Sequence, residues 1–261
     1  MNLPEHNLTR AVWIGATREI VFSYFTDNGR WANWWGAGST IEAHAGGQMY
    51  IRYPNGTEVR GDVVDVTTPD RIVFTYGYVT GSPIAAGSSR VTISLREHKG
   101  GTMLELFHEF AEAPVRDQHI QGWRFQLSLF ANVVLNGLHE PNATALVDAW
   151  HSAWAMTDEG ARGIELQRIA TPEVEFRDRY STLRGYEDMM AHITASQRYM
   201  PGITLQRKGN VVHSQGHLLA GWAATGPDGK DPRAKIILMS GSNTYTLAAD
   251  GRIESVVGFA G

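Results

Sequence analysis

The stretch "GTMLELFHEFAEAPVRDQHIQGWRFQLSLFANVV", Gly101–Val134, changes its hydrophobic period once, near Pro114. Before the proline, Leu104, Leu106, His108 and Phe110 recur at every second residue, the spacing of one face of a β-strand. After it, Ile120, Trp123, Leu127, Phe130 and Val134 recur at steps of three and four, one stripe of a long helix. A strand with one apolar face and a helix with one apolar stripe each need a partner to exclude water. The simplest arrangement lays the helix across the sheet. Gly122 inside that helix costs about 1 kcal/mol relative to alanine, and is expected to mark a close backbone approach.

Toward the N-terminus the strand period persists. "RVTISLRE" aligns Val91, Ile93 and Leu95; "RIVFTYGYV" aligns Ile72, Phe74, Tyr76 and Tyr78. "GGQMYIRYPNGTEVRGDVVDV" holds two extended runs around Pro54-Asn55-Gly56, a strong turn signal, so the segment reads as an antiparallel meander. Ahead of it come a short strand at Arg10–Ile14 and a helix capped by Thr17 with Ile20, Val21, Tyr24 and Phe25 inward. "RWANWWGAGS", Arg30–Ser39, is a second short helix stopping at Gly36. Trp31 and Trp34 share its buried face, and Trp35 points to a cavity mouth or to solvent.

Toward the C-terminus, "GLHEPN" (Gly137–Asn142) is the best boundary in the chain. Gly137 can end the helix, Pro141 opposes its continuation and Asn142 can cap the next one. Two domains follow, 1–140 and 141–261. In the second, "ALVDAWHSAW" puts Leu146, Trp150 and Trp154 on one helical face, and a helix over Glu159–Ile169 leads into the strand "EVEFRD". "GYEDMMAHITASQ" is helical with Met189 and Ile193 inward; "ITLQRKGNVVHS", "HLLAGWAAT", "AKIILMSGSNTYTL" and "RIESVVGF" are extended. Each half is thus α+β, with its own helices and its own antiparallel sheet.

Composition narrows the function. Of 261 residues, 43% are hydrophobic and 19% charged, a soluble globular balance. The net charge is −4, and neither part holds a basic excess: 11 Lys and Arg against 14 acids up to Asn142, 12 against 13 beyond it. Nucleic-acid binding is therefore set aside. The absence of cysteine removes disulfides, thiol catalysis and thiolate-bound metals. No apolar run approaches the roughly 18 residues of a membrane span, and the first residues lack a basic segment followed by an apolar one. A cytoplasmic protein without a membrane partner is expected, so the sequons at Asn55 and Asn142 read as a turn and a helix start. His213 and His217 have a zinc-helix spacing but flank a hairpin turn with no third ligand near, so no metal is expected. "GPDGK" (Gly226–Lys230) lacks the upstream glycine of a phosphate loop, and Asp231 replaces its hydroxyl residue; it is a turn. No nucleophile elbow and no strand-anchored dinucleotide fingerprint occurs, so no cofactor is expected.

The order and spacing of "VFSYFTDNGRWANWW", "GGQMYIRYPNG", "RIVFTYGY", "SRVTISL", "GTMLELFHE" and "GWRFQL" resemble the helix-grip (START-like, SRPBCC) superfamily, in its Aha-type branch named after activators of a heat-shock-protein ATPase. The resemblance implies a curved antiparallel sheet around a long C-terminal helix, with a cavity between them that in many members takes a hydrophobic molecule. The second half, through "LVDAWHSAW", "PEVEFRDRYSTLRGYEDMMAHI", "LAGWAAT" and "TLAADGRIESVVGF", looks like the nuclear-transport-factor-two-like cone of the SnoaL or ketosteroid-isomerase type. That implies a cone-shaped α+β domain which often forms homodimers through the open face of its sheet. Both superfamilies host enzymes, binders and regulators, so fold does not settle function.

In the first domain, Trp35, Tyr53, Phe74, Tyr76, Tyr78 and Trp123 supply aromatic surface near the expected sheet–helix gap, with His108 as a polar anchor or, more simply, a hydrogen-bonded core residue. In the second, Asp178 matches the position where related isomerases and cyclases keep a general base, and burial at the mouth of an apolar cone would raise its pKa. The competing reading makes it an ion-pair partner of Arg177 or Arg179. The related isomerases' oxyanion donors fall at Trp154 and near Asn243, where an indole and an amide replace acidic groups, so standard ketosteroid-isomerase chemistry is not implied. Binding of a hydrophobic or aromatic small molecule, as a stress or metabolic accessory protein, ranks first. An isomerase, cyclase or hydratase using Asp178 follows, and a chaperone-interacting regulator comes last.

Overall fold

The computed structural model describes residues 6–229 and 235–261. Lys230 and Asp231, which carried the turn reading at "GPDGK", lie outside the described residues. The chain divides into two compact units, Met1–Leu135 and Asn136–Gly261.

In the first unit the strands are β1 (His6–Ile14), β2 (Thr40–Ile41), β3 (Gln48–Arg52), β4 (Glu58–Thr67), β5 (Arg71–Tyr76), β6 (Ser89–His98) and β7 (Gly101–Phe110). They form one antiparallel sheet in the order β1-β7-β6-β5-β4-β3-β2. Chain order is kept from β2 to β7, and β1 closes on β7, placing Leu8 opposite His108. The alternation expected of β7 holds: Leu104, Leu106, His108 and Phe110 are buried, and Phe107 is on the outer face. Helices α1 (Arg18–Ser23) and α2 (Asn28–Trp35) lie between β1 and β2. The Thr17 hydroxyl accepts from the Ile20 N–H and the Asp27 carboxylate from the Arg30 N–H, so both helices start on side-chain caps. Gly36 ends α2 at φ +136°, and a Cβ there would sit 2.3 Å from the Arg52 carbonyl oxygen. Only glycine meets both conditions.

The helix that follows β7 is α3, Ala113–Ala155. Its stripe Trp123, Leu127, Phe130 and Val134 is buried, with His119 rather than Ile120 at its start. This is the helix-grip arrangement. The helix stop expected at Gly137–Asn142 does not occur, because α3 runs through Pro141. Proline removes the N–H that would bond the Gly137 carbonyl and crowds that same group, at a cost of about 3 kcal/mol. Gly137 is exposed, so its freed carbonyl can be hydrated. His139, Ala143, Val147 and Trp150 are buried at steps of three and four on either side of the proline. Burial of that stripe outweighs one lost hydrogen bond, and Asn142 is an internal helix residue rather than a cap.

The second unit holds the end of α3, α4 (Glu159–Ile169), α5 (Gly185–Tyr199), and strands β8 (Ala170–Arg177), β9 (Thr182–Arg184), β10 (Thr204–Ser214), β11 (His217–Pro227), β12 (Lys235–Leu247) and β13 (Ile253–Ala260). Its sheet order is β10-β11-β12-β13-β8-β9. The expectation of a wholly antiparallel sheet is corrected here: β13 pairs with β8 in parallel. A parallel pair needs a long crossover, and α5 with the β10–β12 meander provides it. Val147, Trp150, Leu166, Ile169, Met189 and Ile193 of the helices share one core with Val174, Leu218, Tyr245 and Val256 of the sheet. Arg162 is buried within the helices, its guanidinium donating to the Met156 carbonyl, the Gln197 amide oxygen and the Thr194 hydroxyl. This α+β layering of helices on one curved sheet is the cone arrangement.

Candidate ligand-binding sites

In the first unit, a cavity of about 320 Å³ lies between the sheet and α3. It brings together Trp35, Tyr53, Tyr76, Tyr78 and Trp123, five of the residues expected there, with His119, Gly122 and Gln126. Of the three tryptophans of α2, Trp31 and Trp34 are tied into the corner. Their indole N–H groups donate to the carbonyls of Tyr50 and Tyr24, and Trp31 stacks edge-on against Phe74. Phe74 is therefore a core residue and does not reach the cavity. Trp35 is buried rather than facing solvent, 5.8 Å from the Trp123 ring, and its N–H has no partner.

His108 stands behind the cavity wall. The Trp123 indole donates to its Nδ1 (2.9 Å), so Nε2 carries the proton and donates to the Ser89 hydroxyl (2.8 Å), which donates to the Tyr76 carbonyl. This chain pins α3 to the sheet, and burial holds the His108 pKa well below its usual value, keeping the ring neutral. On the cavity side, the Tyr53 and Tyr76 hydroxyls meet at 3.2 Å. His119 gives its Nδ1–H to the Val115 carbonyl, leaving Nε2 to accept from the Tyr78 hydroxyl at 3.4 Å. The polar atoms here are largely satisfied by one another. Gly122 does not mark a close approach: a Cβ there would meet nothing within 4 Å. It lines the cavity, where the missing side chain leaves the gap open.

In the second unit, a cavity of about 340 Å³ is walled by Trp150, Trp154, Phe176, His192, Trp222 and Met239. Asp178, Asn243 and Trp154, the three positions singled out from the sequence, all line it. β8 delivers Phe176 into the wall and Asp178 to the turn that follows. The Asp178 and Asn243 side chains converge on Gly258 of β13, where a Cβ would lie 3.3 Å from the Asp178 Cβ and 3.2 Å from the Asn243 amide oxygen.

Asp178 is neither sealed in the cone nor, among the described residues, ion-paired with a neighbouring arginine. Arg177 pairs with Glu175, and Arg179 lies over the Tyr180 ring. The Asp178 carboxylate accepts from the Tyr180 N–H (2.8 Å), and its own N–H donates to the Ser181 carbonyl (3.0 Å). It caps the turn at the cavity mouth, a role that neither sequence reading contained. Asn243 gives its amide N–H to the Tyr245 hydroxyl (3.2 Å).

Sequence reasoning missed His151 and Trp222. His151 is one residue past Trp150 on α3 and is buried, and its pKa falls to about 4 through desolvation, which the neighbouring Asp148 only partly opposes. Neither of its ring nitrogens has a protein partner, and the same holds for the indole nitrogens of Trp154 and Trp222. The available signal was "AWHSAW": a histidine beside an inward tryptophan on a helix with a wide apolar face. His213 and His217 flank the hairpin turn as expected. The His213 Nδ1–H donates to the Asn136 amide oxygen and its Nε2 accepts from the Gly216 N–H.

Residues 15–134 match the family model described as Activator of Hsp90 ATPase homolog 1-like protein. No curated protein matches the chain. Among solved structures, a SnoaL-like family protein from Agrobacterium tumefaciens strain C58 is 22% identical, with 45% of this chain and 95% of that one covered and a TM-score of 0.40. CalU16 from Micromonospora echinospora is 22% identical over 49% of this chain and 75% of that one, TM-score 0.41. The Aha1 dimer from Colwellia psychrerythraea is 13% identical over 47% and 90%, TM-score 0.41.

Proposed function

We propose that this protein binds a hydrophobic or aromatic small molecule, with the cavity of the second unit as the principal site. The observation that carries this is the contrast between the two cavities. Both are aromatic-walled and of ligand-binding size. In the first unit the lining hydroxyls and imidazoles pair with one another and one buried nitrogen, Trp35 Nε1, is left over, whereas in the second the buried nitrogens of three side chains, His151, Trp154 and Trp222, are left over. A buried polar atom without a partner costs about 1–3 kcal/mol, a cost that a bound molecule removes. The direct test is native mass spectrometry of the purified protein combined with a thermal-shift panel of uncharged aromatic compounds. A ligand present at about 100 times its Kd raises stability by about 2.7 kcal/mol. Absence of both a retained molecule and any stabilisation would overturn the reading.

A second reading, catalysis with Asp178 as base, is favoured by the convergence of Asp178, Trp154 and Asn243 on one cavity. Asp178→Asn separates the two, because an asparagine oxygen can still accept the Tyr180 N–H and keep the turn. Catalysis requires that turnover vanish while binding and melting temperature stay close to wild type. Unchanged conversion of a bound ligand would remove Asp178 from any chemistry.

We further propose that two copies pair through the open face of the second unit's sheet. The ladder register puts Val212, Leu219 and Phe259 on that face, all three exposed. Light scattering on the intact protein distinguishes dimer from monomer. Among the described residues no helix is long and apolar enough to cross a membrane.

A further inference from the structure

Two methionines stand at the mouth of the second unit's cavity, and among the described residues no other methionine is as bare. Met49 and Met189 are buried, Met103, Met156 and Met190 are half-buried, and Met200 and Met239 are 48% and 41% exposed. Both exposed ones line this cavity. They reach it from different layers. Met200 caps the C-terminal end of α5, with its N–H on the Ser196 carbonyl, and Met239 lies on β12 opposite Ala224 of β11. Being at once lining and exposed, the two thioethers stand where the apolar wall meets water.

The wall behind them is closely packed. Trp222 on β11 is paired with Gly241 on β12, and a Cβ at Gly241 would sit 2.6 Å from the Trp222 ring. The indole therefore rests against the bare backbone of β12. Trp154 is packed between Phe176 and His192, with ring centroids at 5.5 and 5.6 Å. A methionine, unbranched and polarizable, adapts to what passes it, and it is also reactive. The chain has no cysteine, so methionine thioethers are its only sulfur. A hydroperoxide transfers its outer oxygen to such a sulfur. The S–O bond forms, the O–O bond breaks, the sulfur gives up two electrons, and hydrogen peroxide leaves as water. The sulfoxide is polar, and methionine sulfoxide reductases return it to the thioether. A thioether needs no deprotonation to react, so access decides which methionine is oxidised first, and access here singles out Met200 and Met239.

We infer that Met200 and Met239 are a reversible oxidation site that gates this cavity: a hydroperoxide converts them to sulfoxides and lowers the affinity for an apolar ligand, and sulfoxide reduction restores it. The inference rests on the binding role proposed above and adds to it a regulation of the same site. In the thioether form the mouth continues the apolar wall, and a bound hydrocarbon surface covers it at no polar cost. In the sulfoxide form the same ligand must strip water from an S=O group and offers it no hydrogen bond. Met189, buried in the core of the same unit, is the internal control, since a peroxide cannot reach it without unfolding.

The experiment uses the full-length protein, ¹³C-labelled at the methionine methyls, and the uncharged fluorescent probe N-phenyl-1-naphthylamine. Methyl signals are assigned with Met200→Leu and Met239→Leu, which keep an apolar side chain and delete the sulfur. Probe binding to the reduced protein is expected to shift the Met200 and Met239 methyl signals. After limited hydrogen peroxide treatment, peptide mass spectrometry is expected to find the added oxygen on Met200 and Met239 before Met49 and Met189. Probe affinity should then fall about tenfold, and treatment with both sulfoxide reductases, one for each epimer, should restore it. In the double variant, peroxide should leave the probe affinity where it stood before treatment. Reversal by the reductases is read on the wild-type protein, so it reports even if the double variant folds poorly. Oxidation of Met200 and Met239 with no fall in affinity, or an equal fall in the double variant, would overturn the gate while leaving small-molecule binding intact. A reduced protein that binds no probe, or binds it with both methyl signals unmoved, would overturn the second cavity as the principal site, and the inference with it.

Discussion

Acidification from pH 7.5 to 5 should destabilise the second unit by several kcal/mol through two imidazoles. His139 and His151 are both buried, and burial lowers each pKa from 6.5 to about 4. Around His139 stand His213, which lowers it further, and Asp250, which opposes the shift. Around His151 stand Asp148 and Arg207, paired with each other at 2.7 Å, so their effects partly cancel. With the folded pKa below the unfolded one, the unfolded chain takes up the proton first. Stability is therefore complete above about 6.5 and falls as the pH drops from 6.5 toward 4. Each imidazole contributes about 2 kcal/mol between pH 7.5 and 5, and the pair about 4 kcal/mol, a large share of the 5–15 kcal/mol typical of a domain. His213 in the same unit, and His108 and His119 in the first, are also lowered by burial and add to the slope. The assay is the urea midpoint at several pH values, followed by hydrogen exchange in peptides from β11 and β12. His139→Gln and His151→Gln should each reduce the loss of stability between pH 7.5 and 5 by about 2 kcal/mol. A midpoint that stays flat from pH 7.5 to 5 would refute the reasoning.

Two further substitutions probe the walls of the cavities. Gly122→Ala should stabilise the protein by about 1 kcal/mol, since it raises helix propensity where the new methyl meets nothing within 4 Å; a fall in melting temperature would contradict the open-wall account. Gly241→Ala should cost about 1–3 kcal/mol, the usual range for overpacking. The added Cβ would lie 2.1 Å from the Phe259 carbonyl oxygen as well as against Trp222, and an unchanged urea midpoint would show that the Trp222 seat is not as tight as described.

Most of the architecture was legible in the sequence because it is local. The change of period between "MLELFHEF" and "WRFQLSLF", the turn at Pro54-Asn55-Gly56 and the cap at Thr17 depend on neighbours a few residues away, and the corresponding elements are present. Asp178, Trp154 and Asn243 could be named, and they share a cavity. Their working states could not be foreseen. Whether Asp178 pairs with an arginine or caps a turn depends on where the Tyr180 N–H points. Phe74 shares a strand face with Tyr76, yet one is core and the other cavity wall, because Trp31 covers only the first.

Pro141 shows the same division at helix scale. Local chemistry opposes continuation there, and the helix continues because the buried stripe on both sides contributes more than one hydrogen bond. By itself the sequence determined the strands, the Thr17 cap and the two apolar faces, since periodicity and backbone preference act within a few residues. The tertiary structure alone decided which polar groups find partners: His108 does, and His151, Trp154 and Trp222 do not. Hydrogen-bond satisfaction depends on atoms brought together from distant parts of the chain, and no local pattern encodes it.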